Sequence, residues 1–169
     1  MADDVDLSRL ADRLRAAVAD LHDLLPVVEA GAPWPVSERF GTEPEASWGP
    51  PETLAHVAEM LPFWMGEMER VLTGAVEPVP FGRVASDALR IGLIERDRTL
   101  PPRELFGRIQ VAAERLAARI GELDGGQASR RGSHPRLGEL TVAAIVERFA
   151  AAHLEEHVVQ LRQALRTPD

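Results

Sequence analysis

Three of the five histidines in this sequence are placed so that their side chains could share one ligand. His153 and His157 stand four residues apart, so a helix through them brings both imidazoles to the same face. At about 100° per residue, Val146, Phe149, Ala150, His153, His157, Gln160 and Ala164 fall in one narrow sector, with the two histidines at its middle. A buried imidazole has two ring nitrogens to satisfy, and burying one without a partner costs a few kcal/mol. Two rings on one helix face cannot readily satisfy each other, whereas a shared metal ion takes one nitrogen from each.

His56 offers a third nitrogen. It lies in line with Met60 and Phe63, on a second and partly apolar face of its own helix. Three neutral imidazoles with the remaining positions left to water or substrate form the pattern of a catalytic metal site, because a structural zinc is closed by a fourth protein ligand. Zinc is the first choice, with nickel, iron and manganese also suited to nitrogen ligands. The competing reading of the pair is incidental: one surface histidine, and one core histidine bonded to a carbonyl. His22, beside the core stripe of the first helix, reads as structural. His134, before Pro135 in a loop, reads as a cap or a solvated ring.

Around the three histidines stand weaker candidates. Glu156 flanks their face and Glu59 lies one turn from His56, so each could orient a ligand or act as a catalytic acid or base. The alternative for both is an ordinary surface or salt-bridge role. Glu155 points away and reads as a solvated charge. Trp48 and Trp64 flank the His56 segment and could line a cofactor pocket, or serve as core. Gln160, one turn beyond His157, could bond a ligand or a neighbouring helix.

These side chains need rigid elements to hold them, and four segments carry helical periodicity. The first runs from about Val5 to Leu25 on a stripe of Leu7, Leu10, Leu14, Val18 and Leu21, with Pro26 expected to end or kink it. A Pro- and Gly-bearing loop spans residues 31–49. The second helix starts at Pro50-Pro51, with Glu52 well placed in its first turn, and stops at Gly74. Its stripe is Leu54, Val57, Leu61, Met65, Met68 and Leu72, interrupted by Pro62, where a bend is expected. A crossover of residues 74–100 contains a short helix from Ser86 to about Glu95. The third helix starts near Pro101-Pro102 and ends at Asp124-Gly125-Gly126, and the fourth runs from about Leu137 to Leu165. Nothing alternates long enough to predict a sheet. The expectation is an all-α four-helix bundle, one domain over residues 1–169, with the long crossover between helices 2 and 3.

Composition narrows the chemistry further. A net charge of −8 with dispersed arginines argues against nucleic acid as a partner, since phosphate backbones select basic stripes. No apolar run approaches a membrane span, and the acidic start MADDVDLSRL is unlike a signal peptide, so the expected location is the cytoplasm. With no cysteine in the chain, any thiol chemistry must use a thiol brought by a small molecule. Lysine, asparagine and tyrosine are also absent, the mark of a GC-rich bacterial genome.

The segment WGPPETLAHVAEMLPFW resembles the second helix of the DinB-like proteins, which include bacillithiol transferases and mycothiol-dependent maleylpyruvate isomerases. The segment SHPRLGELTVAAIVERFAAAHLEEHVVQL resembles their last helix, with its His-x-x-x-His pair. The resemblance spans essentially the whole chain, and its specific part is the histidine triad. It implies an up-down-down-up bundle, often a homodimer, with a divalent metal on His56, His153 and His157. It also implies a metal-dependent S-transferase or isomerase in which the metal activates a small thiol, mycothiol being favoured by the GC-rich composition, toward an electrophilic substrate. Two other functions stay open: a metal-dependent hydrolase that activates water, and a non-catalytic, stress-related bundle braced by a structural metal.

Overall fold

Asp6 starts the first helix by accepting from the backbone N–H groups of Ser8 and Arg9, two of the donors that a helix start leaves unpaired. The structure, a computed structural model, describes residues 6–166; the expected helix start at Val5 lies outside them. Helix α1 (Leu7–His22) buries Leu10, Leu14, Ala17 and Leu21 at three- and four-residue steps. The chain then breaks and restarts as α2 (Leu25–Gly31). Pro26 sits in the first turn of α2, where its missing N–H has no bond to lose, so it begins a helix and does not end one.

After a connection that includes a short 3₁₀ turn (Glu45–Ser47), α3 runs from Pro50 to Thr73. It is helical straight through Pro62, which stands exposed on its solvent side. The crossover carries β1 (Val79–Pro80) and α4 (Ala88–Asp97), whose first turn is capped by Asp87. Helix α5 (Pro102–Gly121) buries Leu105, Ile109, Ala113, Leu116 and Ile120, and packs against both α1 and α3.

The polypeptide between α5 and the last helix departs from expectation. A single turn α6 (Gly125–Ala128) is closed by a capping box between Asp124 and Gln127. Strands β2 (Arg131–His134) and β3 (Gly138–Thr141) come next, so Leu137 lies in the turn between them and residues 138–141 form a strand, not the start of the fourth helix. These strands pair antiparallel, and β2 also pairs parallel with β1 through Val79–Gly132 and Pro80–Ser133. The result is a small three-stranded sheet against one end of the bundle, where no sheet was expected. His134 is buried in it against the Phe81 and Phe149 rings, which corrects its reading as a solvated ring, while its Nδ1 accepts from the Arg136 backbone N–H at 3.2 Å, the cap that was expected.

Thr141 caps α7 (Val142–Val146), which passes through a π-helical segment (Glu147–Ala152) into α8 (His153–Ala164). The wider π turn shifts the helical register of α8 relative to α7. Leu154, Val158 and Leu161 therefore carry the core face of α8, with His157 buried beside them and His153 at the margin. The pair is thus not at the middle of the core-facing sector. Helices α1, α3, α5 and the α7–α8 unit are the four staves of the bundle. Each Leu or Ile they bury fully is worth about 1.5–3 kcal/mol. Among the described residues, no helix is long and apolar enough to cross a membrane.

Candidate metal centre

Three elements far apart in sequence meet at one point. Helix α3 presents His56, α8 presents His153 and His157, and the 3₁₀ turn delivers Glu45 from the connection before α3. The Nε2 atom of His153 lies 3.2 Å from that of His56 and 3.1 Å from that of His157. Glu45 Oε1 is 3.3, 3.4 and 3.1 Å from the Nε2 atoms of His56, His153 and His157. All four ligand atoms fall within 4.8 Å of one another. His56 and His157 are almost fully buried, while about 30% of the His153 side chain and 27% of the Glu45 side chain face solvent.

The polar network fixes which nitrogen of His157 faces this point. Gln160 Nε2 donates to the Glu45 carbonyl at 2.8 Å, which turns its Oε1 toward His157 Nδ1 at 3.0 Å. A carbonyl oxygen only accepts, so the proton of the neutral ring belongs on Nδ1 and the lone pair on Nε2. Burial pushes the His157 ring below its ordinary pKa, which favours that neutral form. On His153, Nδ1 faces the exposed Glu156 carboxylate at 3.4 Å, which likewise directs Nε2 inward.

Four lone-pair donors pointing at one another are a conflict unless something positive lies between them. Ligands at the 2.0–2.2 Å typical of zinc, set tetrahedrally, stand about 3.3–3.6 Å apart. Of the five separations, 3.3 and 3.4 Å fall at the short end of that range, and 3.1, 3.1 and 3.2 Å lie 0.1–0.2 Å below it. The donor set, three imidazoles and one carboxylate, suits a borderline divalent cation. The residues fit a metal ion.

Glu45 is held from its other side. Its Oε2 accepts from Arg90 Nη2 at 2.7 Å, and Arg90 is itself buried, with Nη1 donating to the Ala85 carbonyl and the guanidinium 5.3 Å from the Trp48 ring. Neither Glu45 nor Arg90 carries a sequence signal. Glu45 lies in a connection without periodicity and Arg90 on the short crossover helix α4, and only the chain crossing brings them to the histidines.

The remaining candidates separate. Trp48 stands edge-on to His56 with ring centroids 5.6 Å apart and walls the site from behind. Trp64 is not at the site: it stacks on Phe149 at 4.1 Å, inside the core. Gln160 bonds His157 and the Glu45 backbone, so it positions the site's own residues and not a ligand. Glu59 is buried and paired with Arg83 at 2.6 Å, with its carboxylate 3.8 Å from His56 Nδ1. That places it behind the ring, away from the open side, which does not suit an acid or base acting on a bound molecule. Glu156 is exposed at the mouth. Glu155 is no free charge: Arg13 of α1 grips it at 2.8 Å from both Nε and Nη2.

A cleft of about 300 Å³, lined by Glu45, Ala46, His153, Glu156, His157 and Gln160, opens onto the ligand atoms. A larger groove, about 960 Å³, lies along α3, α4 and α5 instead, and reaches the site only through Glu59. The donor geometry is a stronger indicator of chemistry than size, so the smaller cleft is taken as the candidate entrance.

No family model matches the chain, and no curated protein matches it. Among solved structures it is similar to YfiT from Bacillus subtilis, with a TM-score of 0.72 over 98% of this chain and 89% of that one, at 16% identity. YfiT is described as a probable metal-dependent hydrolase with an unusual four-helix bundle topology. At that identity the likeness shows a shared fold, which supports the bundle that the DinB-like resemblance implies.

Proposed function

We propose that this chain is a metal-dependent enzyme that binds one divalent cation through His56, His153, His157 and Glu45, a fuller protein ligand set than the three histidines expected from sequence, and activates a small nucleophile at a fifth position on the cleft side. The observation that carries this reading is the convergence of four ligand atoms, five of their pairs 3.1–3.4 Å apart and all within 4.8 Å of one another, beside a solvent-open cleft. A divalent cation held there supplies Lewis acidity, lowering the pKa of water or of a thiol at neutral pH. The protein's own part is to fix the rings: Gln160 sets the tautomer of His157, Glu156 faces His153 Nδ1, and Trp48 and Glu59 back His56.

Two nucleophiles divide the reading. Water, giving a hydrolase, is favoured by the likeness to YfiT and its description. A low-molecular-weight thiol of the mycothiol type, giving an S-transferase or isomerase for electrophilic substrates, is favoured by the DinB-like resemblance and needs no cysteine of the protein. Zinc is the first choice of metal, with nickel, iron and manganese as alternatives. We further read the chain as one domain with its helices in the up-down-down-up order, working in the cytoplasm, as a homodimer, on small molecules and not on nucleic acid or membranes.

The test is elemental analysis of protein purified without a histidine tag, followed by ester, amide and phosphate substrates and an electrophile panel, each with and without added thiol. About one metal per chain is expected, with turnover that disappears on chelation. Turnover without thiol selects the hydrolase, and strictly thiol-dependent turnover selects the transferase. Failure to take up zinc or nickel would defeat both.

A further inference from the structure

Glu45 makes two kinds of contact at once, and together they describe a molecule that could replace it. One carboxylate oxygen stands 3.1–3.4 Å from each of the three Nε2 atoms, and the other accepts from Arg90 Nη2 at 2.7 Å. Arg90 does not depend on Glu45 for its position. It belongs to α4, its Nη1 is anchored on the Ala85 carbonyl at 3.0 Å, and its backbone N–H is capped by Asp87 at 2.9 Å. Withdrawal of Glu45 would leave a buried guanidinium facing three imidazoles with no counter-charge in that direction, and such a group needs an anion.

Glu45 itself is the least embedded of the four ligand residues after His153. It stands on a three-residue turn flanked by exposed Pro44 and Ala46, and its backbone is tied by the Gln160 amide through the carbonyl alone. Rotation about its own side-chain bonds can therefore free the carboxylate while the turn stays in place. The space it would vacate is continuous with the 300 Å³ cleft, enough for a carboxylate bearing a few heavy atoms.

Resting on the metal reading, we propose that Glu45 occupies in cis the place of an external carboxylate. The site takes a small carboxylate-bearing molecule, one oxygen at the three-histidine point and the other on Arg90, and Glu45 swings out to admit it. Arg90 is then the residue that selects a carboxylate over a neutral ligand, through its charge and a single hydrogen bond from Nη2, while Nη1 stays on the Ala85 carbonyl.

The experiment uses cobalt(II)-loaded protein, with acetate as the probe and the visible spectrum and metal affinity as readouts. Glu45→Ala is expected to weaken cobalt binding and to regain both affinity and the wild-type spectrum as acetate is added. Its acetate affinity should exceed that of the wild-type protein at least tenfold. In Glu45→Ala/Arg90→Gln the acetate effect should disappear, and in Glu45→Ala/Arg90→Lys, which keeps the charge and loses the second hydrogen bond that anchors the side chain on the Ala85 carbonyl, it should be intermediate. Circular dichroism of each variant separates loss of the site from loss of the fold. Cobalt-loaded Glu45→Ala that ignores acetate would overturn the proposal, as would an acetate effect of equal size with or without Arg90. So would a Glu45→Ala protein that holds no cobalt at any acetate concentration while the wild type does, since Glu45 would then be a permanent ligand. If the wild type takes up no cobalt, the metal reading falls first, and the proposal with it.

Discussion

Replacing Gln160 by leucine removes three hydrogen bonds from the metal centre, the longest to the Trp48 carbonyl at 3.4 Å, while leaving all four ligand residues in the chain. Gln160 Oε1 accepts from His157 Nδ1 at 3.0 Å, and its Nε2 donates to the Glu45 carbonyl at 2.8 Å. Without the first bond, the proton of His157 is free to move to Nε2, the atom that must supply a lone pair. Without the second, the turn bearing Glu45 loses its tie to α8. Outer partners of this kind are typically worth 10–100-fold in metal affinity, or about 1.4–2.7 kcal/mol. The lower bound agrees with leaving one buried ring N–H unpaired, about 1–3 kcal/mol. The internal comparison is Glu156→Gln: Glu156 is 75% exposed and 3.4 Å from His153 Nδ1, so water replaces it and the expected loss is under about threefold. The assay is zinc competition against a chromophoric chelator at fixed pH, with thermal unfolding of the metal-free proteins as a control for folding. Unchanged affinity in Gln160→Leu, or a larger loss in Glu156→Gln than in Gln160→Leu, would refute the assignment of these partners.

Three further outcomes are expected. Trp64→Ala removes a ring stacked on Phe149 at 4.1 Å and should cost about 3–5 kcal/mol in stability with metal stoichiometry unchanged, checked by urea unfolding and elemental analysis. A loss of metal without a loss of stability would return Trp64 to the site. Gly82→Ala places a Cβ 2.3 Å from His134 Cδ2 at a residue with φ +85°, so it should destabilise by at least about 1–3 kcal/mol, seen as a lower urea midpoint. Glu155 is held below its ordinary value of 4.5 by the hydrogen bonds from Arg13. A depressed carboxyl stabilises above its unfolded pKa and loses that contribution as pH falls through its folded value. Glu155→Gln should therefore cost under about 1 kcal/mol at pH 7, since the pair is partly exposed, and nothing once the wild-type carboxyl is protonated well below 4.5. Urea unfolding at pH 7 and at low pH checks the sign, and an effect that grows toward acid would contradict it.

Legibility in the sequence depends on which interactions are local. The stripes Leu10–Leu14–Leu21 and Leu105–Ile109–Leu116–Ile120 are periodic because each helix buries one face, so the staves and most of their ends were legible. The spacing of His153 and His157 is equally local. The π-helical segment before them is not signalled by composition, and it moved the core face onto Leu154, Val158 and Leu161. Strands of two to four residues are too short to show alternation, and β2, with Gly132 and Ser133 at its centre, has little intrinsic strand character. Glu45 and Arg90 escaped for a different reason. Their roles come from a meeting across 45 residues of chain, fixed in part by the buried Glu52, which holds Ser37 at 2.8 Å and Arg98 at 3.0 Å. A first-turn glutamate looks like a helix-dipole partner in sequence, and only the packing makes it the clamp on the connection that carries Glu45.

The central claim is that three imidazoles and one carboxylate converge on a single cation, and X-ray absorption spectroscopy of the zinc-loaded protein addresses it most directly. Three imidazole nitrogens and one oxygen at about 2.0–2.2 Å are expected in the wild type, and one imidazole fewer in His56→Ala. A zinc environment with two or fewer imidazoles in the wild type, or one that His56→Ala leaves unchanged, would contradict it.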